Sequence, residues 1–205
     1  MTQDVLHGAP LAGSSTTSSA ESSTASPRTP STPPAPGAAP LGRAWIAAHI
    51  PHSGAMCLLD TVDAWDDTHI RCTATSHRDA HNPLRSQGRL ASVCGIEYAA
   101  QAMAVHGALS GMRGGVTDQA MGGKPRVGYL ASVRNVEARV ARLDTFEAPL
   151  SVEAERMGGD GNTVLYGFTV RCGDEVLLSG RAAVMLDASG ALARTPDNHS
   201  KGELT

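Results

Sequence analysis

The stretch LASVCGIEYAAQAMAVHGALSG, residues Leu90–Gly111, is the longest run in the chain with a strong preference for helix. Small and apolar side chains occupy every direction of its helical wheel instead of forming one stripe. A helix that is apolar all round is buried all round, either in the core of a soluble domain or in a membrane. We therefore expect this helix to be the centre of the fold, with the rest of the chain packed around it.

One ionisable group interrupts the middle of this helix. Glu97 is flanked by apolar residues, and Gln101 follows one turn later on the same side. A carboxyl group buried alone is costly unless it is paired, hydrogen-bonded or kept neutral by a raised pKa. We expect a raised pKa for Glu97, which would let this residue carry a proton at neutral pH.

Length, charge and cysteine content limit the classes of protein to which the chain can belong. Its 205 residues suffice for one domain with extensions, and its net charge of −3 comes with no basic block typical of nucleic-acid binding. The four cysteines are far apart without a CxxC pair, which indicates neither a zinc site nor a disulfide scaffold. No segment offers the roughly 18 consecutive apolar residues of a membrane span, and the N-terminus lacks a secretory pattern. We expect a cytoplasmic protein with reduced thiols.

Composition divides the chain into three parts. Residues 1–42 are rich in Ser, Thr, Ala and Pro, and such a composition cannot bury enough surface to offset its ordering entropy. We predict a disordered extension there. Residues 43–187 carry the helix and strand patterns and form the predicted domain. Residues 188–205 are polar and are predicted to be a loose tail.

Alternation of apolar and polar side chains predicts strands on both sides of the long helix. The predicted strands cover residues 56–65, 69–77, 127–143, 149–156, 163–171 and 176–186. A short helix over residues 44–50 precedes them and ends at Pro51, and a glycine-rich return loop covers residues 111–125. A hairpin, one buried helix and then three or four antiparallel strands form an α+β order, with the sheet curled around the helix.

Three motifs occur in a fixed order along the domain. The segment Ile50–Asp60, IPHSGAMCLLD, is similar to an opening motif L-P-H-x-x-x-M/F-L-L-D. The loop His81–Pro83, HNP, carries a histidine followed closely by a proline. The segment Gly95–Ala102, GIEYAAQA, looks like G-x-E-x-M-A-Q-A. Together they resemble the hotdog-fold 3-hydroxyacyl-[acyl-carrier-protein] dehydratases, and most closely the subgroup found beside aryl-polyene biosynthesis genes.

The resemblance carries expectations about fold, reaction and partners. It implies a hotdog fold, in which an antiparallel sheet wraps around one long central helix. It implies that 3-hydroxyacyl groups on an acyl carrier protein are dehydrated to trans-2-enoyl groups, without a redox cofactor or metal. It also implies a homodimer, or a heterodimer with another hotdog subunit, in which the histidine and the acid of one site come from different subunits. The chain departs from the better-known fatty-acid dehydratases at Asn82, which replaces an aromatic residue, and in residues 84–90, which lack a Pro-Gly pair.

The resemblance and the chemistry of dehydration together assign roles to particular residues. His81 is the predicted base for the α-proton, because histidine titrates near neutral pH. Glu97 is the predicted acid for the departing hydroxyl group. Predicted substrate-binding residues are Gly95, where a missing side chain would let the thioester approach, Cys94, which would line the acyl tunnel, and Gln101, which either orients Glu97 or hydrogen-bonds in the core.

Purely structural roles remain open as alternatives to these catalytic roles. His81 can be a solvated loop histidine, and Glu97 can be a buried carboxylate satisfied by backbone groups or an arginine. His52 is expected to fix the turn after Pro51. For the whole chain, the alternatives are a non-catalytic partner subunit of a heterodimeric dehydratase and an acyl thioesterase.

Overall fold

The computed structural model describes residues 40–113, 128–160 and 162–186. The predicted tail and most of the predicted return loop lie outside these ranges. So does the predicted N-terminal extension up to residue 39. Leu41 and Gly42, at the end of that extension, already pair with the sheet, so the ordered domain begins slightly earlier than predicted.

Seven strands of the described chain form one antiparallel sheet in the order β1-β2-β3-β5-β6-β7-β4. The strands are β1 (Leu41–Gly42), β2 (Thr61–Trp65), β3 (His69–Ala74), β4 (Gly128–Ala138), β5 (Leu150–Gly159), β6 (Thr163–Cys172) and β7 (Glu175–Leu186). The hairpin β2–β3 joins the later strands through β5. The first strand after the long helix, β4, pairs with β7 and lies at the edge of the sheet.

Two helices accompany the sheet. Helix α1 covers Arg43–His49, and the long helix α2 covers Gly95–Arg113 after a short 3-10 turn at Ser92–Cys94. Helix α2 packs against β3, β5 and β6, and its small side chains Ala99 and Ala102 are fully buried there. Each large apolar side chain buried in this core contributes roughly 1.5–3 kcal/mol relative to exposure. No helix in the described ranges is long and apolar enough to cross a membrane.

The expectation that the long helix is buried all round is wrong for one of its faces. A row of positions along one side stays partly or fully exposed, and we call it the open stripe: Val93, Glu97, Ala100, Ala104, Gly107 and Gly111. The stripe arises because the sheet covers only the opposite sides of α2. Its residues are small except at the end that carries Val93 and Glu97.

The strand predictions after the helix agree with β5, β6 and β7 to within a few residues, whereas the predicted strand 56–65 is half as long in the structure. Gly54–Met56 forms a 3-10 turn, and β2 begins only at Thr61. Between them, Leu58 N–H and Met56 C=O bond to the Gln101 side chain instead of a neighbouring strand. The predicted strand is therefore shorter in the structure, because these backbone groups bond to a side chain of the long helix.

Candidate active site

Glu97 lies in the first turn of α2 and belongs to the open stripe. Its side chain is 30% exposed. Two nitrogen donors contact the same carboxylate oxygen, Oε1: His52 Nε2 at 3.0 Å and Gln101 Nε2 at 3.0 Å. Among the described residues, no hydrogen bond is made to the second oxygen, Oε2. One oxygen of the carboxyl group is therefore fixed, and the other is left for a ligand or water.

His52 reaches Glu97 from the segment between α1 and the 3-10 turn at Gly54–Met56. Its Nδ1 atom is buried and has no hydrogen-bond partner within the described part of the chain. A proton on Nδ1 would be buried without an acceptor, which is costly, so the tautomer with the proton on Nε2 fits this site. His52 therefore donates to Glu97. From the sequence, His52 was expected only to fix the turn after Pro51. Its contact with Glu97 was missed, although His52 and Glu97 both lie in the motifs quoted above.

Gln101 connects this same segment to the helix. Its side chain is fully buried, its Oε1 accepts from Leu58 N–H at 2.8 Å, and its Nε2 donates to Met56 C=O at 2.8 Å as well as to Glu97. Gln101 thus bonds both to the Glu97 carboxyl group and to buried backbone groups, the two contacts that the sequence left open as alternatives. A direct contact between Gln101 and substrate stays a prediction.

The expected raised pKa of Glu97 is wrong for this chain. Burial raises the pKa, but the hydrogen bonds from His52 and Gln101 and the charge of His52 when protonated outweigh it, so the pKa lies below its usual value. Gln101 lies one turn from Glu97 in the same helix, but His52 comes from a distant part of the sequence. The carboxyl group is ionised at neutral pH in this chain.

His81 lies at the tip of a loop and does not meet Glu97 within the described chain. Its side chain is 95% exposed, and its Nδ1 lies 3.5 Å from Asp79 Oδ1. The ring borders a small polar cleft of about 190 Å³, whose other walls include Arg43, Ser76 and Asn82. The catalytic pairing of His81 with Glu97 remains a prediction.

The loop that carries His81 is nevertheless fastened to the helix beside Glu97. Asn82 Nδ2 donates to the Tyr98 hydroxyl group at 2.9 Å and to Ser76 C=O at 2.8 Å, and the Ser76 and Tyr98 hydroxyl groups are 2.9 Å apart. Asn82 and Tyr98 are buried. Asn82 therefore has a structural role, because it anchors the loop through the residue that follows Glu97.

A second anchor holds the other end of this loop. Asp144, only 3% exposed, accepts from Arg85 at 3.0 Å, from Arg142 at 2.6 Å and from Leu90 N–H at 3.1 Å. Arg85 also donates to the carbonyl groups of His77, Asp79 and Gly88. These bonds fix the course of the chain from the 3-10 turn at Ser76–Arg78 to the start of α2.

Gly95 and Cys94 lie just before Glu97. A Cβ atom on Gly95 would come within 2.8 Å of Leu178 Cδ2, so the missing side chain is explained by the close packing of helix and sheet. The Gly95 N–H bonds to the carbonyl groups of Ser92 and Val93. Cys94 Sγ lies 3.7 Å from Leu84 C=O, and burial raises the pKa of its thiol, which disfavours a nucleophilic role. Contact of either residue with substrate stays a prediction.

The four cysteines are free thiols, as expected from their spacing. Among the described residues, no group of three or more His, Cys, Asp or Glu side chains is arranged to hold a metal ion.

Comparisons with known proteins identify the fold and the family. A sequence profile of the ApeP-like family, described as ApeP dehydratase, matches residues 44–192. The dehydratase heterocomplex ApeI:P from Xenorhabdus doucetiae is similar in structure, with a TM-score of 0.61 and 23% identity over 72% of this chain and 93% of that chain. No curated protein sequence matches.

More distant structures include a thioesterase from Haemophilus influenzae, with a TM-score of 0.44 and 12% identity over 62% of this chain and 77% of that one. The PaaI protein from the phenylacetic acid degradation operon of E. coli has a TM-score of 0.44 and 10% identity over 60% of this chain and 80% of that one. The likeness to ApeI:P and the antiparallel sheet around α2 confirm the predicted α+β hotdog fold. Because the profile match spans most of the chain, the protein belongs to the ApeP-like family of dehydratases.

Proposed function

We propose that the protein dehydrates 3-hydroxyacyl thioesters, carried on an acyl carrier protein, to trans-2-enoyl thioesters in polyene-type biosynthesis. The observation that carries the proposal is the Glu97 carboxyl group. It is held by two donors on one oxygen and lies in a partly exposed stripe, next to the anchored loop of His81. Family membership supports the class of reaction.

The proposed reaction divides two proton transfers between two side chains. His81 takes the α-proton of the thioester, and the electron pair of the C–H bond forms the C2–C3 double bond. The C3–O bond breaks as Glu97, in its protonated form, gives its proton to the departing hydroxyl group, which leaves as water. A proton passes from His81 back to Glu97 before the next turnover. Glu97 acts through Oε2, because Oε1 is already the acceptor of two hydrogen bonds.

A second hotdog subunit completes the proposed site. The open stripe of α2 and the edge strand β4 are surfaces of the described chain on which such a subunit can pack and pair. Covering the stripe removes water from Glu97, which raises its pKa toward the protonated form that an acid requires. The partner's loop histidine would then face Glu97, which explains why His81 of the same chain need not approach it.

The second candidate function is a non-catalytic subunit that supports an active partner. The observation that favours it is the position of His81, which is 95% exposed and whose ring forms an ion pair with Asp79 at 3.5 Å. In such a subunit, Glu97 would still be held by His52 and Gln101 but would never meet a base.

Product analysis separates these candidates. The pure protein is incubated with a 3-hydroxyacyl-carrier-protein, alone and with candidate hotdog subunits, and the acyl group is followed by mass spectrometry. Loss of one water that depends on both His81 and Glu97 supports the dehydratase. Activity that survives His81→Ala and Glu97→Gln in this chain, in the presence of a partner, supports the non-catalytic subunit. Release of the free acid would instead indicate a thioesterase.

A further inference from the structure

We propose that His52 is a positioning residue for the acid: together with Gln101 it fixes Glu97 Oε1, so that the catalytic proton is carried only by Oε2. This inference rests on the proposed function. It starts from the 3.0 Å contact between His52 Nε2 and Glu97 Oε1, which links the loop after α1 to the first turn of α2.

The two donors act in both protonation states of Glu97. When the carboxyl group is ionised, Oε1 accepts from His52 and Gln101 as a carboxylate oxygen. When it is protonated, the same oxygen accepts as a carbonyl oxygen, and a proton on Oε1 would face two N–H groups. The proton therefore binds and leaves at Oε2. A general acid is useful only if its proton points at the leaving group, so this arrangement converts a flexible carboxyl group into a directed one.

The surroundings of His52 suit a donor through Nε2. The Nδ1 atom is buried without a partner among the described residues, and the side chain as a whole is 27% exposed. A proton on Nδ1 would lack an acceptor there, so the ring proton that donates belongs on Nε2. His52 can thus keep donating through Nε2 without itself entering the reaction, and it is the titratable group, among those described, that contacts the Glu97 carboxyl group.

Gln101 alone does not fix the carboxyl group in the same way. Its Nε2 is shared between Glu97 Oε1 and Met56 C=O, and its Oε1 is used by Leu58 N–H. The amide is therefore locked in place by the backbone and approaches the carboxyl group from one side. His52 supplies the second contact, which prevents the carboxyl group from rotating about its Cγ–Cδ bond.

The test compares two substitutions of His52 with a neighbouring control. His52→Gln keeps a nitrogen donor at about the reach of Nε2, whereas His52→Leu removes it. His49→Leu is the control, because His49 stacks on Trp45 and bonds to its carbonyl group without contacting Glu97. Each variant is assayed for dehydration over a range of pH with the subunit that gives activity. The Glu97 carboxyl group is followed by ¹³C NMR in the isolated protein, with Glu97→Gln to assign the signal.

We expect His52→Leu to lower the maximal kcat roughly 10-fold with little change in KM, as for loss of one hydrogen bond to a charged group. Its Glu97 pKa rises, because a donor to the carboxylate is lost, so the alkaline limb of the kcat profile moves to higher pH. His52→Gln restores both, and His49→Leu changes neither. A wild-type kcat profile or a wild-type Glu97 titration in His52→Leu would overturn the inference.

The inference and the proposed function fail in different ways. If the wild-type protein forms no enoyl product with any subunit, the function is wrong, and the NMR titration still reports whether His52 controls Glu97. A titration of Glu97 that does not move in His52→Leu contradicts the inference whatever the activity.

Discussion

At the scale of single residues, the site depends on contacts between parts of the chain that lie far apart in sequence. The sequence singled out Glu97, because a carboxyl group in an apolar helix needs a partner. It could not identify that partner, since His52 reaches Glu97 only after α1, the following turn and α2 have packed together. The predicted direction of the Glu97 pKa was wrong for the same reason: burial was predicted from the apolar neighbours, but the hydrogen bond from His52 was not.

The need for glycine at position 95 became clear only from the packing of helix against sheet. The sequence suggested space for a thioester, whereas the structure has Leu178 within 2.8 Å of the position of a Cβ atom. The explanation gives a prediction with a matched control in the same helix, since a Cβ atom on Gly107 would meet open space.

We expect Gly95→Ala to lower the free energy of unfolding by about 1–3 kcal/mol, because the added methyl group overpacks a buried contact. Gly107→Ala should raise it by up to about 1 kcal/mol, because alanine favours helix. Urea unfolding followed by circular dichroism measures both. Similar stabilisation by the two substitutions would show that Gly95 is not needed for helix–sheet packing.

At the scale of elements, the strands β6 and β7 were predictable from the sequence, whereas the start of β2 was not. The alternation in β6 and β7 and the turn between them are local signals, and the structure agrees with them closely. The segment 56–60 carries a similar apolar signal, yet its backbone bonds to Gln101. A contact between a strand candidate and a distant helix leaves no local pattern, so the sequence predicted a strand that is too long at its start.

The loop between β3 and α2 depends on a carboxylate that the sequence analysis did not single out. Hydrogen bonding from Arg142, with support from Leu90 N–H, holds the pKa of Asp144 well below its usual range despite the burial of the carboxyl group. A depressed folded-state pKa stabilises the fold above the unfolded-state value of about 3.9 and loses that contribution as pH falls below it.

Asp144→Asn should therefore destabilise the protein by roughly 1.5–3 kcal/mol near neutral pH, the range for hydrogen bonds to charged groups. The difference from the wild-type protein should shrink as the pH falls below about 4, because the wild-type carboxylate then begins to lose its advantage. Urea unfolding at several pH values measures this, with the exposed Asp174→Asn as the control. A difference that does not depend on pH would contradict the role of the ionised carboxylate.

At the scale of the whole molecule, the open stripe and the edge strand β4 are the surfaces on which we propose that a second subunit packs. The sequence predicted a helix with no exposed face, because composition alone does not reveal how much of a helix one sheet covers. The stripe consists mainly of small residues, which allow close approach of another helix, and it places Glu97 at one end.

Gly107→Arg tests this surface without disturbing the core, since the position is exposed and a side chain there meets open space. We expect unchanged or slightly higher thermal stability of the isolated chain, because arginine favours helix over glycine. Association with the second subunit, measured by analytical ultracentrifugation, should weaken, and dehydration should fall with it. The control is Glu175→Arg, at the exposed start of β7. Normal association and activity in Gly107→Arg would exclude the stripe as the subunit contact.

The central claim is that Glu97 is the acid of a dehydratase site. The most direct measurement is the rate of water loss from a 3-hydroxyacyl-carrier-protein, followed by mass spectrometry of the intact carrier with wild-type and Glu97→Gln protein in the presence of the active partner. The account predicts a loss of roughly 100-fold or more in Glu97→Gln, the lower range for removal of a general acid, with unchanged melting temperature and with wild-type rates in Glu175→Gln. A Glu97→Gln protein that forms the enoyl product at the wild-type rate would contradict it.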